Sequence, residues 1–391
     1  MFFFSKKKEG EVVLILDIRS SSIGAGLVLI QGDETKILYT TRKDIYFSKN
    51  QQSDSFSKVS FKVLTKIMQE IAEKGIPLLA ENDEIPNNIS YALSMYASPW
   101  FDAKTKEISL SRSKPFKLTE KIFERMVEEE IRQLRNRSTE TMTVEKEVTN
   151  VLINGYTMTD PFHKKVTNLD FSFYVSQMAK SDLKIVENII EKSISVKKVF
   201  HKTHPLVLSS VIKNVFSSTN SFILIDVGGE VTDISITKDD SLLSLATIPL
   251  GKHHFVREIS NECKQEIPVA HSSFKMYFDK TSHSECSDGI EKILASMGKE
   301  WRAQLIEGLR EVYPEEEIPQ NIFLTADDDA REAFKLILED NEMKTFMESQ
   351  DSHLVNALDV SSLDGLFTYG SGVRRDLFIG MAAGYIHIIN T

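Results

Sequence analysis

Ile225-Asp226-Val227-Gly228-Gly229-Glu230-Val231-Thr232-Asp233-Ile234 is the stretch on which the reading of this chain turns. The run leading into it, Phe222-Ile223-Leu224-Ile225, is continuous and apolar, as expected of a strand buried on both faces. Asp226 closes the strand, Gly228-Gly229 breaks it, and Thr232-Asp233-Ile234-Ser235-Ile236 resumes as a second strand. An acidic turn at Asp239-Asp240 leads into a third apolar run, Leu242-Leu243-Ser244-Leu245-Ala246-Thr247-Ile248. The same order occurs near the start of the chain. Val12-Val13-Leu14-Ile15-Leu16 ends at Asp17, and Ser20-Ser21-Ser22 forms a small-residue turn. Gly26-Leu27-Val28-Leu29-Ile30, a turn at Gln31-Gly32-Asp33 and Lys36-Ile37-Leu38-Tyr39 complete the meander. Two copies of one meander predict two similar halves facing each other across a cleft. There is no short-period repeat and no low-complexity segment.

Tight turns at two facing strand ends have a definite chemistry. Their backbone N–H groups and hydroxyls can hold phosphate oxygens from two sides. An Asp at the end of each strand suits a hard divalent cation, directly or through water. Turn formation alone explains the serines, and equally the glycine pair. Their joint placement in two echoing units favours a ligand cleft.

The rest of the composition sets limits. A chain of 391 residues predicts two or three packed units. Its 41% hydrophobic and 27% charged residues are those of a globular protein. The net charge of −10 disfavours nucleic acid as a main partner. Cys263 and Cys286 match no metal-site spacing; they could form one disulfide, and two free thiols in a reducing cytoplasm are expected. No run reaches the ~18–20 apolar residues of a membrane-spanning helix. Met1-Phe2-Phe3-Phe4 before Lys6-Lys7-Lys8 could touch an anionic membrane surface, although a frayed terminus is the plainer reading.

Residues 57–73 have helical spacing. Residues 118–134 predict an amphipathic helix with Thr119 as N-cap and Ile122, Phe123, Met126, Val127, Ile131 and Leu134 on its apolar face. Residues 147–156 and 166–176 alternate like paired strands around a turn at Asp160-Pro161, and a helix over 182–192 follows. The segment 101–190 thus reads as a small α+β unit.

Leu16-Asp17-Ile18-Arg19-Ser20-Ser21-Ser22 resembles the first phosphate motif of the actin-like ATPase superfamily, and the stretch 225–234 resembles the second. Ile248-Pro249-Leu250-Gly251 looks like the segment that follows it in the FtsA/PilM family. Residues 154–161 with Phe173-Tyr174-Val175-Ser176 resemble the inserted FtsA subdomain, and Gly380-Met381-Ala382-Ala383-Gly384-Tyr385 resembles the family's last helix. These matches span nearly the whole chain in order. The start, residues 1–8, is similar to PilM.

The resemblance implies a two-lobed, actin-like α/β fold with an inserted α+β subdomain in the first lobe. The expected segments are 10–100 and 191–218 for the first lobe, 101–190 for the insert, 219–365 for the second lobe and 366–391 for a return to the first. It implies ATP with Mg²⁺ between the lobes. Asp17, Ser20, Ser21 and Ser22 would lie on one side, Asp226, Gly228, Gly229 and Thr232 on the other, with Asp17 and Asp226 nearest the metal. It also implies a cytoplasmic scaffold, peripheral to the membrane, that links a cytoskeletal FtsZ-like partner to the membrane in cell division and could self-associate into filaments. The alternatives are a PilM-like pilus-assembly protein, whose insert binds the tail of an inner-membrane partner, or a pseudo-ATPase adaptor. A sugar or acetate kinase would need a positioned base for a substrate hydroxyl, and none stands out.

Four departures bear on the cofactor. Arg19 replaces a turn glycine, and Glu230 replaces the third glycine of the second motif. Ala326-Asp327-Asp328-Asp329 stands where a Gly-Gly turn near adenosine is expected; these aspartates are expected to cap a helix starting near Ala330. His204-Pro205 replaces Glu-Pro, so His204 is the one candidate catalytic base, with a structural role as its alternative.

Overall fold

The computed structural model describes residues 10–46, 53–81, 85–135, 140–158, 160–279, 286–313, 318–347 and 354–391. Residues 1–8, read as a frayed terminus that could touch a membrane surface, lie outside them. The chain opens with β1 (Glu11–Ile18), β2 (Ser22–Gln31) and β3 (Glu34–Asp44), an antiparallel meander. Next come α1 (Ser53–Glu70), a π turn over Ile71–Gly75, α2 (Ile76–Ala80) and β4 (Ile89–Tyr96), which pairs parallel with β1. An insertion follows: β5 (Asp102–Lys117), α3 (Glu120–Arg135), β6 (Thr141–Ile153), β7 (Tyr156–Thr157), β8 (Lys165–Ala179) and α4 (Lys180–Ser193). β9 (Val199–Thr203) returns to the first sheet beside β4, and α5 (His204–Val215) leaves it.

The second meander is β10 (Phe222–Val227), β11 (Thr232–Lys238) and β12 (Ser241–Ile248). It is followed by α6 (Lys252–Cys263), α7 (Ile267–Asp279), α8 (Ser287–Val312), β13 (Asn321–Ala326), α9 (Arg331–Leu338), α10 (Asn341–Phe346) and β14 (Leu354–Ala357). β15 (Thr368–Tyr369) and α11 (Leu377–Asn390) close the chain.

The sheets run β15-β3-β2-β1-β4-β9 and β12-β11-β10-β13-β14. Each is built on a first strand that pairs antiparallel with the second and parallel with the fourth. The internal echo in the sequence is therefore a duplicated topology. A third sheet, β5-β8-β6-β7, is the insertion. In it β6 and β8 pair antiparallel with Val148 opposite Phe173, as the alternation predicts. β5 was not legible. Its stretch around Ile108 and Leu110 is mostly Lys, Ser, Thr and Arg, and no residue of this edge strand is fully buried. Thr119 caps α3, with its hydroxyl 3.4 Å from Ile122 N.

α5 and α11 lie between the two main sheets. Val13, Ile15 and Leu93 of the first, Phe222, Leu224 and Phe323 of the second, and Val207, Val211, Phe378 and Met381 of the helices form one apolar cluster. α11 approaches β2 so closely that a Cβ on Gly26 would stand 2.6 Å from Ile379 Cγ2, so only a residue without one fits. The lobes thus share a core beneath the cleft.

Two expectations are corrected. Cys263 and Cys286 are bonded, with Cα atoms 5.8 Å apart, because the end of α6 meets the start of α8. Asp327, Asp328 and Asp329 do not cap α9; its N-cap is Ala330, with no side-chain bond, Asp328 pairs with Arg331 at 2.7 Å, and Asp327 and Asp329 are spent on ion pairs described below.

Candidate functional site

Each meander delivers a carboxylate to the end of its first strand, where β1 and β10 point into the cleft. Asp17 is fully buried and Asp226 is 4% exposed. His204, the first residue of α5, lies between them, with Nε2 2.7 Å from Asp17 Oδ1 and Nδ1 2.8 Å from Asp226 Oδ2. A carboxylate at each nitrogen favours the imidazolium, while Arg19 Nη1 also lies 3.0 Å from Nδ1. Burial pushes the ring's pKa down, but Asp226 and Asp17 outweigh this and raise it above the ordinary histidine value.

Arg19 fills the remaining space. Its Nη2 donates to Asp226 Oδ1 at 2.8 Å and to Val227 O at 2.9 Å, and its Nη1 donates to Asp226 Oδ2 at 3.2 Å. Its guanidinium carbon lies 3.8 Å over the Phe378 ring, so the start of α11 seals the cleft floor. Burial alone would raise the Asp226 carboxyl; Arg19 and His204 reverse that and hold it well below the carboxylate range. Asp17 is lowered likewise: Arg42 and His204 overcome the burial.

The network extends to both sides. Arg42 of β3 donates to Asp17 at 2.7 Å, to Ser22 Oγ at 2.8 Å and to both oxygens of Asp376 at 2.7 and 2.9 Å. Asp376 also accepts from Phe378 N and Ile379 N, capping α11. Lys252, 2% exposed, binds Asp327 at 2.8 Å and Asp329 at 3.1 Å. Burial would lower the lysine, yet Asp327 and Asp329 raise it. Glu230 turns away from the cleft toward α6, where Arg257 holds both its oxygens at 2.9 and 3.0 Å and His253 sits at 2.9 Å. Those partners override its burial and bring it down to about 2.

The structure brings Asp17, Ser20, Ser21, Ser22, His204, Asp226, Gly228 and Gly229 to one place. It does not bring Thr232 into the cleft: that hydroxyl donates to Leu250 O at 2.7 Å and accepts from Trp301 Nε1 at 3.1 Å inside the second lobe. Arg42, Lys252, Asp376 and Phe378 were missed as site residues. Only the tertiary fold collects them, and no local motif marks an Arg on a third strand or a Phe on the last helix.

Folds of this kind usually bind a nucleotide with Mg²⁺ here. The residues present do not fit that group. Gly229 N and Glu230 N, which would face a phosphate, donate to Ser20 Oγ at 2.8 and 3.2 Å. Gly228 N donates to Val231 O. The two turns touch: a Cβ on Gly229 would stand 2.8 Å from Ser21 N. Among the described residues, a pocket between the lobes lined by Arg42, His271, Asp327, Arg374 and Phe378 among others measures about 110 Å³, against ~300 Å³ or more for ligand pockets. His204 has both ring nitrogens engaged, Nε2 with Asp17 and Nδ1 with Asp226 and Arg19. Among the described residues no group of three or more acidic, His or Cys side chains is placed to hold a metal.

No protein-family model matches the chain, and no curated protein matches it. Among solved structures it is similar to a chain titled "PilM-PilN type IV pilus biogenesis complex", with a TM-score of 0.62 at 13% identity over 97% of this chain and 98% of that one. Weaker likenesses are to the ethanolamine utilization protein EutJ from Carboxydothermus hydrogenoformans (TM-score 0.46, 10% identity, 90% and 86% covered) and to MreB 5 of Spiroplasma citri bound to AMPPNP (TM-score 0.45, 10% identity, 96% and 94% covered). The fold is the two-lobed actin-like one, with a PilM-like arrangement along its full length.

Proposed function

We propose that this actin-like chain is a scaffold of the PilM type, and that it binds a short extended tail of an inner-membrane protein of the PilN kind on its inserted subdomain. The observation that carries this reading is the end-to-end likeness to the PilM–PilN chain, insertion included. Against it, the expected FtsZ-like partner and cell-division role have no observation in their favour.

The insertion supplies a suitable surface. β6 pairs with β8 on one side, while on the other β7 reaches only Leu152 and Ile153. From Thr141 to Val148 the outer edge has no strand partner among the described residues. α3 overhangs this edge, and between them lies a groove of about 680 Å³ lined by Arg125, Glu128, Ile131, Arg132, Val144 and Lys146 among others. An extended peptide can add to such an edge by main-chain hydrogen bonds, with side chains in the groove setting specificity. Glu145, buried at the groove's inner end, accepts from Ser176 Oγ at 3.1 Å and from Thr203 N at 2.9 Å, so the edge is anchored to the first lobe.

Membrane association would then come through the partner. No helix among the described residues is long and apolar enough to cross a membrane. The test is fluorescence anisotropy with two labelled peptides, a PilN-type cytoplasmic tail and an FtsZ-type C-terminal tail, on wild type and Lys146→Glu, an exposed groove residue. Binding of the first that is lost in the variant supports the proposal. Binding of the second alone overturns it in favour of the division role.

A further inference from the structure

We infer that the cleft supplies its own ligand: the Arg19 guanidinium and the His204 ring stand where a metal-bound phosphate would have to sit, and they hold the two lobes closed without any nucleotide. This rests on the cleft alone and is independent of what the insertion binds.

Charge comes first. Asp17 and Asp226, one from each lobe, are separated by a single imidazole ring, with contacts of 2.7 and 2.8 Å. Arg19 donates to both oxygens of Asp226. Both buried carboxylates are therefore already occupied by side chains of the chain itself, Asp226 by Arg19 and His204, Asp17 by His204 and Arg42. A divalent cation entering here would create an uncompensated positive charge, or would have to expel a guanidinium that is fully buried. Arginine also keeps its charge at any physiological pH, so the substitution for a ligand is permanent.

Geometry agrees. Arg19 belongs to the first-lobe turn yet donates to second-lobe atoms, Asp226 and Val227 O, with Nη1 also 3.0 Å from His204 Nδ1. Ser20 of the same turn accepts the second-lobe amides of Gly229 and Glu230. Donors that would open outward to phosphate are used instead to join the lobes.

Closure is reinforced at two more places. Beneath the cleft the lobes share the apolar cluster around α5 and α11. On the far side the insertion bridges to the second lobe: Ser241 Oγ donates to Thr149 O at 2.8 Å, and Tyr174, Leu206 and Leu242 pack together. A ligand shifts a conformational equilibrium only by its differential affinity for the two states. Here the closed state is stabilised from within, so closure needs no nucleotide.

The experiment combines calorimetry with amide hydrogen exchange on the full chain. Wild type titrated with MgATP, MgADP and Mg²⁺ alone should give no binding heat, and exchange at residues 19–22 and 228–230 should be unchanged by MgATP. Arg19→Gly removes the internal cation. Exchange at those amides should then rise by roughly 100-fold or more, the equivalent of breaking a buried ion pair, and Mg²⁺ or MgATP should raise the melting temperature of the variant but not of wild type. Micromolar MgATP binding to wild type, with protection at the two turns, overturns the inference. So does unchanged turn exchange in the variant. If Arg19→Gly does not fold, Arg19→Lys carries the exchange measurement, because it keeps the charge and loses the two-oxygen fork: faster turn exchange supports the lock, and unchanged exchange overturns it.

Discussion

Replacing His204 by Gln should remove a specific pH dependence as well as some stability. The ring faces Asp17, Asp226, Arg19 and Phe378. Its folded pKa is raised, so between the unfolded histidine value of ~6.5 and the folded value the native state holds one proton more than the unfolded chain. Its contribution is complete below that window, and it is lost at about 1.4 kcal/mol per pH unit as pH rises through it. Other groups act elsewhere. His201, His253 and His254 are lowered by burial, so their effect falls below ~6.5 and has the opposite sign. Asp17 and Asp226, lowered despite their burial, lose their contribution only in acid. Tyr39 and Tyr46, pushed up to about 12, matter only in strong alkali.

The assay is urea unfolding of wild type and His204→Gln at neutral and mildly alkaline pH. At neutral pH the variant should be less stable by about 3 kcal/mol, the lower end for a broken buried pair, because Asp17 keeps Arg42 and Asp226 keeps Arg19. The gap should narrow as pH rises. A gap that stays constant, or that widens, refutes the doubly held imidazolium.

Three further outcomes follow from the packing. Lys252→Met removes the ammonium shared by Asp327 and Asp329, leaving Arg19 3.9 Å from Asp327 and His271 2.6 Å from Asp329, and should cost about 3 kcal/mol in chemical denaturation; adding Asp327→Asn should recover part of that loss. Cys263→Ser with Cys286→Ser opens a loop of sequence separation 23 and should lower stability by about 3 kcal/mol, with a matching fall in melting temperature when wild type is reduced. Gly380→Ala puts a Cβ 2.8 Å from the Phe367 ring and should cost about 1–3 kcal/mol by thermal melting, because α11 is packed there without slack.

The duplicated meander was legible because its information is local. A buried strand needs a continuous apolar run, and the turn after it needs small residues, so Val12 to Asp17 and Phe222 to Asp226 announce themselves. The same local logic suffices to put Asp17, Ser20, Asp226 and Gly229 in one cleft. It fails for β5, whose exposed edge carries almost no apolar alternation, and for the cysteine pair, which a helix and a loop separate in sequence. Nor does it say what fills the cleft. From the sequence, Arg19 is only a bulky residue in place of a turn glycine, and His204 could be a base. Both roles turn on distances between residues about 200 positions apart, such as Arg19 to Asp226. Only packing the two lobes on α5 and α11 sets those distances. Once they are set, desolvation and charge pairing leave the two cations no alternative to the carboxylates between them.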